Sequence, residues 1–201
     1  MRIAHPYNPF YPLANSNLGL HFPEKPAYYF PDFEATSEDE LYCVLKNGNE
    51  VLLREIQEDD KPLFVKFHSE LTVPTLIRRY QWKPPLEERI KDQDKSKRIL
   101  FIAKTVPAET NNPIIIGEGE LYVQKDDKTV EVAITISDNF QRLGLGSIML
   151  SQLEAIARRR GFRRIIAYAQ DTNIPMIKML NKARYRPVRS REGDYFREKV
   201  L

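Results

Sequence analysis

A chain of 201 residues with 42% hydrophobic and 29% charged content suits one globular domain with a sizeable core, or one domain with an appendage. No apolar run reaches the length of a membrane span and the first residues lack a secretion signal, so the expected location is the cytoplasm, without a membrane partner. A single cysteine, Cys43, excludes an internal disulfide, His5, His21 and His68 share no metal-ligand spacing, and a net charge of +3 is too mild to predict nucleic-acid binding.

Residues Met1 to about Asp32 interleave six prolines (Pro6, Pro9, Pro12, Pro23, Pro26, Pro31) with Tyr7, Phe10, Tyr11, Phe22, Tyr28, Tyr29 and Phe30. Such a segment is extended or irregular, and its rings are expected to cover apolar patches of the domain or of a partner subunit in a homodimer. It forms an N-terminal extension, residues 1–40, to a domain of residues 41–201. Leu41 to Lys46 and Glu50 to Ile56 alternate around Asn47-Gly48, a hairpin signal. Cys43 lies in the apolar run Leu41 to Leu45 and reads as a buried small hydrophobe. Glu58-Asp59-Asp60 supplies a cap and first-turn acids for a helix through Glu70, with further helical segments from Pro74 to Tyr80 and from Pro85 to about Asp94. Ile99 to Val106 and Ile114 to Val123 read as strands, the second interrupted by Gly117 and Gly119, which signals a bulge or a close backbone approach.

The central stretch is Thr129 to Arg160. Val130, Val132, Ile134 and Ile136 alternate with Glu131, Ala133 and Thr135, giving a strand with one strongly apolar face. From Leu145 the apolar residues Ile148, Met149, Leu153, Ile156 and Ala157 recur at helical spacing. Between strand and helix lies Gln141-Arg142-Leu143-Gly144-Leu145-Gly146-Ser147, whose glycines let backbone approach a ligand. Amides of such a turn, with the free N–H groups and dipole of the first helical turn, suit a phosphate or pyrophosphate. No Gly-Lys-Ser/Thr follows, so it is not a nucleotide triphosphatase loop, and the three-glycine spacing of a dinucleotide fold is missing.

Gln141-x-x-Gly144-x-Gly146, after a strand and opening a helix, resembles the pyrophosphate loop of the GNAT acetyltransferase superfamily. The likeness continues through the strand Arg164 to Ala169, Asp171-Thr172-Asn173, the helix bearing Met176, Ile177, Met179 and Leu180, and Arg184-Tyr185-Arg186-Pro187. It spans about Leu41 to Leu201. It implies an α/β fold with a mixed, mainly antiparallel sheet of about six or seven strands and helices on both faces. The strand order agrees, since the late strand-helix-strand unit requires a parallel neighbour.

The resemblance also implies acetyl-CoA as co-substrate, with no metal, and an amine as acceptor. Gln141 to Ser147 would hold the pyrophosphate; backbone around Ile134, Thr135 and Ile136, with core side chains, the oxyanion and pantetheine; Asn173, also readable as a helix cap, the pantetheine arm; Lys182 and Arg142 the phosphates. Glu131 coincides with the strand glutamate that serves as base in several members, and reads equally as a solvent-face or paired charge. Glu118 and Glu120 are the substitutes, of which a regular strand is expected to let at most one face the site. Leu180 stands where many members carry a tyrosine acid, and Tyr185 reads as core. The hairpin and VEVAITISDNFQRLGLG are most similar to the Pat-type protein lysine acetyltransferases, which implies a protein lysine acceptor, on an acyl-CoA synthetase for instance, with Tyr80 and Trp82 near its groove. A small amine such as a polyamine or amino sugar is the alternative acceptor. A module that senses CoA or contacts nucleic acid through the arginine-rich end stands as a third reading.

Overall fold

The computed structural model describes residues 40–80, 97–106, 112–188 and 195–201. The N-terminal extension, Trp82, the helix expected from Pro85 and most of the loop after Val106 lie outside the described residues. Eight strands form one sheet: β1 (Leu41–Val44), β2 (Glu50–Glu55), β3 (Arg98–Thr105), β4 (Ile115–Val123), β5 (Thr129–Ile136), β6 (Arg164–Ala169), β7 (Arg186–Val188) and β8 (Tyr195–Val200), in the order β1-β2-β3-β4-β5-β6-β8-β7. All neighbours are antiparallel except β5 and β6. The sheet has more strands than expected because β8 gives a weak signal: Arg197, Glu198 and Lys199 interrupt its apolar residues.

Alternation along each strand divides the apolar residues between two layers. Helices α3 (Leu145–Arg159) and α4 (Ile174–Lys182) cover one face, where Val130, Val132, Met149, Leu153, Ile156, Ile165 and Leu180 form the larger core. Helix α1 (Lys61–Glu70) covers the other, packing Phe64 and Phe67 on Leu100, Ile102 and Ile115, with Leu76 of α2 (Val73–Tyr80) against them. Cys43 belongs to the larger core, and burial pushes its thiol up to about 12, which leaves it inert as a nucleophile.

Glycine in β4 has a specific cause. A Cβ on Gly119 would lie 2.7 Å from Leu153 and 2.8 Å from Met149, so α3 approaches the strand more closely than a side chain allows. The pairing register also shifts between Ala103 and Lys104, opposite this stretch. Both readings of the interrupted strand therefore hold.

The acids before α1 do not cap it as expected. Asp60 closes a 3-10 turn and is buried, binding Arg54 Nη1 at 2.6 Å, Arg54 Nη2 at 3.0 Å and Lys104 Nζ at 3.0 Å, and it makes no side-chain cap to α1. A buried carboxylate gains more from these cations than from an exposed helix terminus. Arg160 meets Glu55 at 3.3 Å, one direct link between the basic and acidic parts of the chain.

One irregularity positions everything that follows. β5 and β6 pair only through Thr129, Val130 and Glu131, opposite Arg164, Ile165 and Ile166. Beyond Glu131 the two strands part, and on that side the backbone of residues 132–136 has no ladder partner among the described residues.

Candidate active site

Three glutamates project from the face of the sheet that α1 and α2 cover. On β4, Glu118 and Glu120 stand opposite Thr135 and Ala133 of β5, and Glu131 stands opposite Tyr122. Residues two apart on a strand share a face, so the expectation that at most one of Glu118 and Glu120 could point this way is corrected. Both are 0% exposed.

Their surroundings separate them. Glu118 accepts from the Tyr80 hydroxyl, from His68 Nε2 at 3.0 Å and from the Thr135 hydroxyl at 3.0 Å. Glu120 accepts from Arg79, from Arg98 Nε at 2.8 Å and from the Tyr122 hydroxyl at 2.8 Å. Both carboxylates are thus consumed by partners, as buried charge requires. Glu131 is half-buried and has no hydrogen-bond or ion-pair partner among the described residues. Burial raises its carboxyl above the ordinary range; the Arg79 cation pulls it back and the Glu120 charge pushes it further up. A carboxylate in this state can accept a proton without first giving up a bond.

At the far end of β5 the chain passes through a 3-10 turn, Asp138–Phe140, into the glycine turn. Gly144 caps α3 with φ 97°, a conformation that L side chains resist, and no side chain caps the helix. Ser147 and Ile148 N–H groups return to the Gly144 carbonyl, which leaves those of Leu145 and Gly146 without a partner in the chain among the described residues. A pyrophosphate fits this arrangement: free amides, the positive end of a fifteen-residue helix, and no Cβ in the way.

The remaining sequence candidates divide by role. Ile134 and Ile136 pack on the larger core, as expected, but Thr135 is buried on the opposite face and donates to Glu118. Gln141 turns its amide back to the Ile136 carbonyl at 3.1 Å and braces the turn. The Leu143 carbonyl accepts the Lys46 N–H at 3.3 Å, and Leu145 is core. Arg142 and Ser147 are exposed, as is Lys182 at the end of α4, and neither Arg142 nor Lys182 is ion-paired among the described residues. Asn173 Oδ1 accepts the Met176 N–H at 3.3 Å, which makes it the cap of α4 and leaves its Nδ2 available. α3 and α4 meet at Gly146, whose added Cβ would lie 3.3 Å from Met179 Sδ. Leu180 and Tyr185 are buried. No group of His, Cys, Asp or Glu fit to hold a metal occurs among the described residues.

The sequence reading missed Arg79, Arg98, His68, Tyr122 and Asp138. Glu118 and Glu120 at apolar positions of a strand demand cations or donors facing them, and that demand was the available signal. Asp138 gave none: its carboxylate takes the Thr72 hydroxyl at 2.9 Å and the Thr75 hydroxyl at 2.7 Å, from residues more than sixty positions away.

A profile of the acetyltransferase (GNAT) family matches residues 53–184. The acetyltransferase PA5475 of Pseudomonas aeruginosa is 27% identical over 149 residues, 72% of this chain and 79% of that protein. The GNAT domain of S. lividans PAT superposes with a TM-score of 0.71 at 25% identity, covering 84% of this chain and 100% of that one. A cAMP-binding acyltransferase from Mycobacterium smegmatis superposes with a TM-score of 0.54 at 21% identity, covering 81% of this chain and 47% of that one.

Proposed function

Because the chain belongs to the acetyltransferase (GNAT) family, we propose that it moves an acetyl group from acetyl-CoA to a protein lysine, with Glu131 as general base. Acetyl transfer to an amine with acetyl-CoA as co-substrate is the family's chemistry, and it makes the protein an acyltransferase. The observation that carries the base assignment is the contrast on one face of the sheet: Glu118 and Glu120 are saturated with donors, and Glu131 is not.

The thioester brings an activated acetyl group and a thiolate that leaves. A lysine ammonium has a reference pKa of about 10.4, so the amine must give up a proton before it attacks, and Glu131, its carboxyl raised by burial, receives it. The unpaired amides on the open side of β5, around Ile134, Thr135 and Ile136, hold the thioester oxygen as negative charge gathers there. The turn Gln141 to Ser147 holds the pyrophosphate through backbone, with Arg142 and Lys182 near the phosphates, and Asn173 Nδ2 serves the pantetheine arm. No tyrosine acid is needed, since a thiol has a reference pKa of about 8.5 and departs as thiolate.

The protein acceptor is supported by the likeness to the S. lividans PAT domain and by exposed apolar side chains near the Glu131 face. Val73 and Ile77 on α2 and Tyr168 on β6, 51% exposed, suit residues flanking a lysine better than a small free amine. The acceptor proposed is a lysine of an enzyme such as an acyl-CoA synthetase, reached in the cytoplasm by the domain of residues 41–201, with residues 1–40 as an extension. Incubation of a cell lysate with the protein and heavy acetyl-CoA, followed by mass spectrometry, tests this reading. Heavy acetyl on specific lysines supports it; label confined to polyamines or amino sugars in a parallel panel overturns the acceptor assignment.

A further inference from the structure

Helix α2 is fastened at both ends to groups on which the proposed chemistry depends. At its start, Asp138 accepts the Thr72 N–H at 3.1 Å, the Thr72 hydroxyl at 2.9 Å and the Thr75 hydroxyl at 2.7 Å. Asp138 opens the short turn that feeds the Gly144 loop, so these bonds join α2 to the cofactor side of the site. At its end, Arg79 is ion-paired with Glu120 and Tyr80 donates to Glu118. A rigid helix of eight residues, about 12 Å long at about 1.5 Å per residue, thus connects the two halves of the site.

The Arg79 Nε is buried and makes no hydrogen bond, so the guanidinium is held by Glu120 and by where the helix places it. We propose that Asp138 is a positioning residue: through Thr72 and Thr75 it sets α2 in place and so keeps the Arg79 cation near Glu131. This rests on the assignment of Glu131 as base. The charged and titratable groups on the face of Glu131 are Arg79 from α2, Glu118, Glu120 and Tyr122 from β4, Arg98 from β3 and His68 from α1; the facing residue of β6 is Ile166. Burial would raise the Asp138 carboxyl, but the bonds from Thr75 and Thr72 outweigh it and hold the group below the ordinary range, so it stays ionised near neutral pH.

The sign of the effect follows from the charges. Arg79 favours the ionised form of Glu131 and Glu120 opposes it, so a displaced Arg79 raises the pKa of Glu131. A base with a higher pKa is switched off at a higher pH, and the acid limb of kcat/KM moves upward. Thr75→Val cuts the tether from the helix side and, on the loop, removes only the 3.5 Å contact from Gln141 Nε2, which keeps its bond to the Ile136 carbonyl at 3.1 Å; Asp138→Asn weakens the tether from the loop side.

The test measures kcat/KM for the acceptor against pH, with coenzyme A affinity by calorimetry. Thr75→Val is expected to move the acid limb to higher pH, to lower acceptor kcat/KM by roughly tenfold and to leave coenzyme A affinity within about threefold of wild type. Asp138→Asn is expected to move the limb the same way. Arg79→Gln should reproduce the shift, and adding Thr75→Val to it should move the limb no further. An acid limb that stays in place in both tether variants, or shifts that sum in the double variant, overturns the proposal. Glu131→Gln separates this from the base assignment: if it keeps the wild-type acid limb, the base assignment is what fails. If that limb is lost in Glu131→Gln yet unmoved in Thr75→Val, the tether alone is refuted.

Discussion

Glu118 of β4 lies directly across from Thr135 of β5 and accepts its hydroxyl at 3.0 Å. This cross-strand bond, with those from His68 and Tyr80, ties the β5 backbone at Thr135 to the structure beneath α1 and α2. It also leaves Glu131, two rungs past Ala133, as the carboxylate with spare capacity on that face.

Glu131→Gln should lower turnover most strongly on the alkaline side of the acid limb, where the wild-type carboxylate is ionised, and remove that limb, while coenzyme A affinity stays near wild type. It should also stabilise the fold at neutral pH. Burial raises the Glu131 carboxyl in the folded state, so its contribution to stability is present below the unfolded value of about 4.3 and lost as the pH rises through the folded value. A higher Tm for Glu131→Gln at pH 7, and no gain at pH 4, checks this; equal Tm at pH 7 contradicts the desolvated carboxylate.

Glu120→Gln should behave in the opposite way. Removing its charge takes a counter-ion from Arg79 and from Arg98, both largely buried. Breaking a buried pair from one side costs about 3–5 kcal/mol, which urea unfolding would register. A variant as stable as wild type would mean that water reaches the two guanidiniums.

Gly144→Glu should abolish measurable coenzyme A binding. The residue has φ 97°, which costs an L side chain about 1–2 kcal/mol, and a carboxylate there opposes a pyrophosphate. Calorimetry that returns unchanged affinity would remove the turn from the cofactor site.

Leu180→Tyr installs the tyrosine that many GNAT enzymes use, yet it should not speed the reaction. Leu180 is fully buried in the larger core, so the added bulk overpacks it at a cost of about 1–3 kcal/mol. Loss of Tm without gain in kcat is the expected result, and a faster enzyme would show that the position reaches the thiolate.

Much of the scaffold was legible because its cues are local. Val130 to Ile136 alternate, the Leu145 helix repeats every three or four residues, and Gly144 stands where only a positive φ closes the turn. Asn173 could be read both as cap and as ligand group, and the structure supplies the cap. What stayed hidden depends on distant pairs. Thr75 and Asp138 carry no mark in sequence that they meet, and Asp60 looks like a helix cap until Arg54 and Lys104 are seen to claim it. The weak signal of β8 has the same origin: its pairing with β6 and β7, rather than its composition, makes it a strand.

The parting of β5 from β6 gives the sheet an unsealed seam in its interior, where a protein is usually most closed. Bare amides and carbonyls along such a seam invite any extended chain to dock, so an amide-bearing cofactor arm lying there also works as a stopper. The resting protein should therefore exchange the amide protons of Ile134 and Ile136 faster, and clump more readily on warming, than the same protein saturated with coenzyme A.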